Sequence, residues 1–168
     1  TTVSPSFGEV FTRRWVVDLI LDLCDYTADR DLTGMRVAEP SVGGGAFLVP
    51  ILERLLLSRS KYQPDQPWEH LAGALRGWDL QPQHVETCRE MALALLVDSG
   101  CPADTALELA ARWLHADDFL LTRSREDFTA DLVIGNPPYI RIEDIEPELL
   151  AAYRAACPAM GGRADIFI

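Results

Sequence analysis

Residues 131–141 read Asp-Leu-Val-Ile-Gly-Asn-Pro-Pro-Tyr-Ile-Arg. An apolar, strand-like run ends in glycine, and Asn136, Pro137, Pro138 and Tyr139 follow it. Two prolines fix two φ angles and remove two N–H donors. Carbonyl groups in such a segment lack the neighbouring donors of a helix or sheet, so they stay available as acceptors. Asn136 adds a side-chain carbonyl, and Tyr139 adds a flat apolar ring. Together the four residues can cradle an amino group carried on a planar ring. Such an amine is a poor nucleophile, because its lone pair is delocalised into the ring. Acceptors aimed at its hydrogens localise that lone pair and stabilise the positive charge that builds as a methyl group arrives. The expected chemistry is methylation of an amino group with no strong base, and Asn136, Pro137, Pro138 and Tyr139 are the candidate catalytic residues.

A methyl donor must then lie within reach, and three further strand ends carry polar devices. The first is Glu39-Pro40-Ser41-Val42-Gly43-Gly44-Gly45-Ala46-Phe47. Its glycines permit positive φ and close approach to the backbone, and a helix N-terminus follows with free N–H groups. An ordinary glycine turn reads equally well. It is not the dinucleotide fingerprint G-x-G-x-x-G, because Leu48 stands where the third glycine belongs. The second strand ends at Asp79, which could accept hydrogen bonds from a ribose diol or could cap the helix after it. The third device is Asp117-Asp118-Phe119. An aspartate there could accept from an exocyclic amine and Phe119 could cover an adenine face, although a solvated turn reads the same way.

These devices need elements to position them. Residues 9–24 place Val10, Phe11, Val16, Val17, Ile20 and Leu21 or Leu23 at helical spacing, with Thr12 as the expected N-cap. A strand is expected over 35–38 and a helix over 46–60, with Pro50 near enough to the first turn to be tolerated. Residues 61–70 read as a loop, 73–78 as a strand, and 82–98 as an amphipathic helix stopped by Gly100-Cys101-Pro102. Strands are expected at 111–115 and 131–134, then a helix over 146–157. This order predicts an α/β fold with a mainly parallel sheet flanked by helices. Right-handed crossovers then bring the strand C-termini to one edge, where ligands bind in open sheets.

Composition narrows the function classes. The chain has 168 residues, 48% hydrophobic and 24% charged, with mean hydropathy +0.03. That is globular, and no apolar run reaches the roughly 18 residues of a membrane span. Cys24, Cys88, Cys101 and Cys157 form no CxxC pair, so free thiols are expected rather than a metal site. The net charge is −11, and Lys61 is the single lysine. A stand-alone nucleic-acid binder would show a basic face.

From Gly8 to the C-terminus the sequence resembles bacterial adenine-N6 DNA methyltransferases of restriction–modification systems, in the branch of combined restriction–methylation enzymes. Its motifs follow the family's order. Gly8 to Leu21 is similar to the N-terminal motif, and the Glu39–Leu48 stretch to the main cofactor motif. Trp78-Asp79-Leu80 resembles the ribose motif, Asp118-Phe119 the adenine motif, and Gly135–Tyr139 the catalytic motif. The closing Gly161–Phe167 resembles the start of the next one. The family often has proline where Arg13 stands and aspartate where Gln81 stands. The resemblance implies a Rossmann-like class I fold using S-adenosyl-L-methionine. The implied cofactor residues are Phe11, Thr12, Glu39, Pro40, Ser41, Gly43, Gly45, Phe47, Asp79, Leu80, Asp118 and Phe119, with no metal. It also implies that residues 1–168 are the N-terminal part of a catalytic domain, truncated after the fourth strand and lacking a target-recognition domain. The missing domain would account for the acidic charge.

The implied partner is double-stranded DNA with a flipped adenine, engaged through parts outside this chain, and a fused or separate restriction nuclease. The implied location is the bacterial cytoplasm. Unpairing a base costs a few kcal/mol, of which stacking on Tyr139 would return about 1–3 kcal/mol. Phosphate contacts must supply the rest, so this segment by itself is expected to be inefficient. Methylation of a protein glutamine amide or of an RNA guanine amine would use the same cradle, and a non-catalytic nucleotide-binding module is the reading from another class.

Overall fold

A computed structural model gives the fold, and it describes residues 12–122 and 127–157. Helix α1 (Arg14–Leu23) turns Val17 and Leu21 into the core. Strand β1 (Val37–Glu39) is buried at all three positions. Helix α2 (Leu48–Tyr62) carries Pro50 at its third position, where the backbone nitrogen needs no intrahelical partner. A 3₁₀ segment (Trp68–Gly73) leads into β2 (Leu75–Asp79). Helix α3 (Pro82–Asp98) coincides with the expected span, and Gly100 ends it at φ +92°. Helix α4 (Ala103–Trp113) runs directly into β3 (Leu114–Ala116). Strand β4 (Leu132–Val133) precedes the catalytic-type motif, and α5 (Pro147–Ala156) follows a 3₁₀ turn at Ile142–Asp144.

The four described strands form one all-parallel sheet in the order β3-β2-β1-β4, flanked by helices. This is the Rossmann-like arrangement. The strand order reverses between β1 and β4, which makes their C-terminal ends the switch point where open α/β sheets bind ligands. Glu39 ends β1, and Gly135-Asn136 follow β4.

Several expectations need correction. Residues 111–113 belong to α4, because Ala106, Leu109, Ala110 and Trp113 fall at helical spacing and are all buried. Residues 68–70 are not loop, since Trp68 stacks under the Arg59 guanidinium at 3.6 Å and the 3₁₀ turn begins there. Thr12 is not the N-cap of α1. Arg13 holds that position with no side-chain cap bond, and its carbonyl accepts from Val16 N at 2.9 Å. The hydroxyl of Thr12 is engaged elsewhere. The strands are also offset from expectation: β1 starts at Val37, and β4 is two residues long, although Ile134 N continues its ladder to the Ala38 carbonyl at 2.9 Å.

Helix α1 is held on α2 by charge as well as by apolar contact. The largely buried Arg54 donates to Asp22 Oδ1 at 2.6 Å, to Asp18 Oδ1 at 3.2 Å, and to the carbonyls of Tyr26 and Asp18. Burial raises the Asp18 pKa, but hydrogen bonds from Arg14 and Arg54 outweigh it and keep the carboxyl below its ordinary range. One close approach also matters to the site. A Cβ at Gly77 would lie 2.6 Å from Val42 Cγ1 and 2.9 Å from Leu114 Cδ2. Gly77→Ala is therefore expected to cost about 1–3 kcal/mol through overpacking. For a domain this size that is roughly 2–4 °C of Tm per kcal/mol. Calorimetry checks it, and an unchanged Tm would mean that the Val42 loop yields freely.

Candidate active site

The glycine loop after β1 is built as its sequence demands. Gly43 and Gly45 have φ +48° and +81°, values that other residues adopt only with strain. Gly45 N donates to the Val42 carbonyl at 2.8 Å, and Val42 N to the Trp78 carbonyl at 2.9 Å. Asp79 ties the loop to β2. Its Oδ2 accepts from Gly43 N at 2.9 Å, and its Oδ1 accepts from Gln81 N at 2.8 Å and lies 3.3 Å from His84 Nδ1. Asp79 is thus a tether between two strand ends, while Gln81 is the N-cap of α3 with no side-chain cap bond. The carboxylate keeps spare lone pairs beyond these bonds.

Glu39 is a buried carboxyl at this switch point. It is 1% exposed, and its Oε2 has no hydrogen-bond partner among the described residues. Burial, and then the neighbouring Asp79 carboxylate, push its carboxyl well above the ordinary range. The same burial, with Glu39 and Asp79 nearby, pushes the Cys88 thiol up to about 12. Cys88 Sγ instead donates to the Gly43 carbonyl at 3.4 Å. Pro40 and Ser41 line the same strand end half-buried, and Leu80 is exposed. Phe47, by contrast, packs within the hydrophobic core.

The third strand end is also tied internally. Asp118 Oδ1 accepts from Leu120 N at 2.9 Å, and Oδ2 accepts from the Tyr153 hydroxyl at 2.7 Å. Tyr153 lies on α5 and was not singled out from the sequence. The signal for it was slight: one aromatic at a buried helical position after the catalytic-type motif. Phe119 packs edge-on against Trp78 at 5.1 Å and stays half-buried. Asp117 accepts from Asp118 N at 2.8 Å and from the Thr122 hydroxyl, so it braces the turn.

The motif after β4 abuts the first strand end. A Cβ at Gly135 would lie 3.6 Å from Glu39 Cγ and 3.8 Å from Pro40 Cδ. Asn136 is the only asparagine in the 168 residues. Its Nδ2 donates to Thr12 Oγ1 at 3.2 Å, and its Oδ1 accepts from the Tyr139 hydroxyl at 3.2 Å. The Pro138 carbonyl is engaged by Ile140 N at 3.1 Å, and Tyr139 is 58% exposed. Phe11 and the segment Gly161–Phe167 lie outside the described residues.

The structure therefore brings Thr12, Glu39, Pro40, Asp79 and Asn136 to neighbouring strand ends in the motif order read from the sequence. Sequence comparison decides what that order belongs to. The chain is 44% identical over 162 residues to the type II methyltransferase M.PaeR7I of Pseudomonas aeruginosa, covering 96% of this chain and 28% of that protein. It is 40% identical over 163 residues to M.XhoI of Xanthomonas vasicola, covering 96% and 30%, and 35% identical over 165 residues to M.BstVI of Geobacillus stearothermophilus, covering 96% and 29%.

Over nearly all of its length, the chain is similar to proteins named type II methyltransferases.

It spans less than a third of the length of these methyltransferases. No protein-family model matches it. Among the described residues, no helix is long and apolar enough to cross a membrane.

Proposed function

We propose that this chain is the cofactor-holding and transfer part of an S-adenosylmethionine-dependent DNA methyltransferase that modifies the adenine N6 amine. In this reading residues 1–168 are the N-terminal part of its catalytic domain. The enzyme serves restriction–modification or phage defence in the bacterial cytoplasm, alongside a nuclease of the same system. The observation that carries the reading is the pairing of β1 with β4, which sets Gly135, just before the acceptor cradle, against Glu39 and Pro40, just before the glycine loop.

The residues fit the cofactor. A buried carboxylate with an unsatisfied oxygen favours a cationic group, since an ammonium partner offsets its desolvation. S-adenosylmethionine carries an ammonium and a sulfonium and supplies an electrophilic methyl group. Glu39, Thr12, Pro40, Ser41 and the Gly43–Gly45 backbone would hold its methionine side. Asp79 and Leu80 would hold the ribose, and Asp118 and Phe119 the adenine. Phe11 and Phe47 complete the proposed set, the latter from the core.

The transfer chemistry rests on the acceptor cradle. Asn136 Oδ1 and the Pro137 carbonyl accept from the two hydrogens of the target amine, because the Pro138 carbonyl is occupied by Ile140. The prolines hold these acceptors fixed, so little reorganisation accompanies charge development. Tyr139, with its exposed ring, stacks on the flipped base. The acidic charge of the chain, −11, leaves phosphate binding to the remainder of the protein.

The direct test uses the full-length protein. It is incubated with unmethylated genomic DNA and S-adenosylmethionine, and the nucleosides are analysed by mass spectrometry. N6-methyladenine is expected. Bound S-adenosylhomocysteine without any methylated base would move the acceptor to protein or RNA. Asp79→Ala tests the cofactor side. Losing two hydrogen bonds to a charged group, the Gly43 tether among them, is expected to weaken S-adenosylhomocysteine binding about 10–100-fold by calorimetry. Unchanged affinity would remove Asp79 from the site.

A further inference from the structure

Thr12 lies 124 residues from Asn136 in sequence, yet its hydroxyl oxygen accepts from Asn136 Nδ2 at 3.2 Å. It stands two residues before α1, whose place on α2 is fixed by the Arg54 clamp and by Val17 and Leu21 in the core. The other end of the Asn136 amide faces Tyr139, whose hydroxyl donates to Oδ1 at 3.2 Å.

An asparagine amide turns about a broad, roughly two-fold χ2. Its two ends are opposite in kind, one accepting and the other donating. For an incoming amine, only the carbonyl end is useful. Presenting the NH2 instead would set donor against donor at the reacting nitrogen. A hydroxyl can accept or donate, so Tyr139 can satisfy either orientation. Tyr139 can share Oδ1 with an arriving amine or give it up, since the oxygen carries two lone pairs. Thr12 is a contact that survives that exchange.

We propose that Thr12 is a positioning residue for methyl transfer: by holding the Asn136 N–H it keeps the amide carbonyl turned toward the acceptor amine, with the Tyr139 hydroxyl as placeholder until the amine arrives. This rests on the methyltransferase reading above and goes beyond a cofactor contact for Thr12. On that reading the Thr12 proton is given to the carboxylate of the cofactor's methionine side, so only the oxygen's lone pairs face Asn136, and the two roles are read apart by kcat at saturation and by affinity.

The test uses the full-length protein and the variants Thr12→Val, which keeps the shape, and Thr12→Ser, which keeps the hydroxyl. Thr12→Val is expected to lower kcat at saturating S-adenosylmethionine about 10-fold or more, over and above whatever it costs in S-adenosylhomocysteine affinity through the lost ligand contact. Thr12→Ser is expected to recover kcat to within about 3-fold. In an Asn136→Ala background Thr12→Val is expected to change the residual rate by no more than about 2-fold, because coupled residues are not additive. A loss confined to cofactor affinity, or an equal loss in both backgrounds, overturns the proposal. A second readout does not need activity. With asparagine-selective 15N labelling, the Asn136 side-chain N–H pair is identified by its loss in Asn136→Ala. One of its protons is expected downfield and is expected to lose that shift in Thr12→Val. If the pair responds while wild type methylates no DNA, the substrate reading fails and the link stands. If wild type methylates DNA and the pair does not respond, the link fails.

Discussion

Asn136→Ala in the full-length protein is expected to lower the rate of methyl transfer about 10²–10³-fold, as removal of one fixed acceptor at a site of developing charge does. Cofactor affinity is expected to stay within about 3-fold of wild type, since truncating an interaction made mainly in the transition state lowers kcat without weakening ground-state binding. Asn136→Asp is the informative companion. Aspartate keeps an acceptor for the amine but cannot donate to Thr12, and Thr12 can donate to it instead. Its rate is expected to fall between those of wild type and alanine. Single-turnover transfer of a labelled methyl group measures all three. An alanine variant within about 5-fold of wild type would remove Asn136 from the chemistry.

Glu39→Gln is expected to act in opposite directions on the empty and the occupied protein. The Glu39 carboxyl is buried beside Asp79, and its folded pKa lies well above the unfolded one. The folded state therefore holds the proton more tightly than the unfolded state. Stability contributed by the protonated form is fully present below the unfolded pKa, near 4.5, and is lost as pH rises toward the folded value. Glutamine keeps the neutral shape and has no such loss. The variant's Tm is expected to match wild type near pH 4 and to exceed it at pH 8. Each kcal/mol of difference is roughly 2–4 °C for a chain of this size. Cofactor binding runs the other way. Without the carboxylate, a charge-assisted bond of about 1.5–3 kcal/mol is lost, which is roughly 10–100-fold in affinity. Thermal shift across pH, with and without S-adenosylhomocysteine, checks both halves. Equal pH profiles for the two proteins would show that the Glu39 carboxyl titrates alike in the folded and unfolded protein.

Much of this arrangement was legible in the residues. The apolar run before Gly135 announced strand β4, and the structure places that strand there, directly ahead of Asn136 and the Pro137-Pro138 pair. The glycine loop was legible too, since Gly43 and Gly45 adopt the positive φ that only their type tolerates easily. Helix α3 was read to its boundaries because Pro82 and Gly100 mark both ends. What was misread depended on tertiary context. Trp113 looked strand-like beside Leu114, but its indole N–H donates to the Leu71 carbonyl at 3.0 Å and its burial completes the α4 face. Thr12 looked like a cap, and no local pattern announces a partner 124 residues away. Tyr153 and its bond to Asp118 were invisible for the same reason. Local spacing reports which elements form. It does not report which side chains meet when they are packed.

Strand β1 has β2 on one side and β4 on the other. Its three buried residues thus carry the glycine loop at their end and align the acceptor motif beside it. A change that shifts β1 disturbs both halves of the site at once. In the proposed reading, routes that retune the ribose and adenine contacts lie instead along β2 and β3, and routes that retune the acceptor lie beyond β4. The sheet is thereby divided into two separately adjustable flanks around a strand that is paired on both edges and buried at every position.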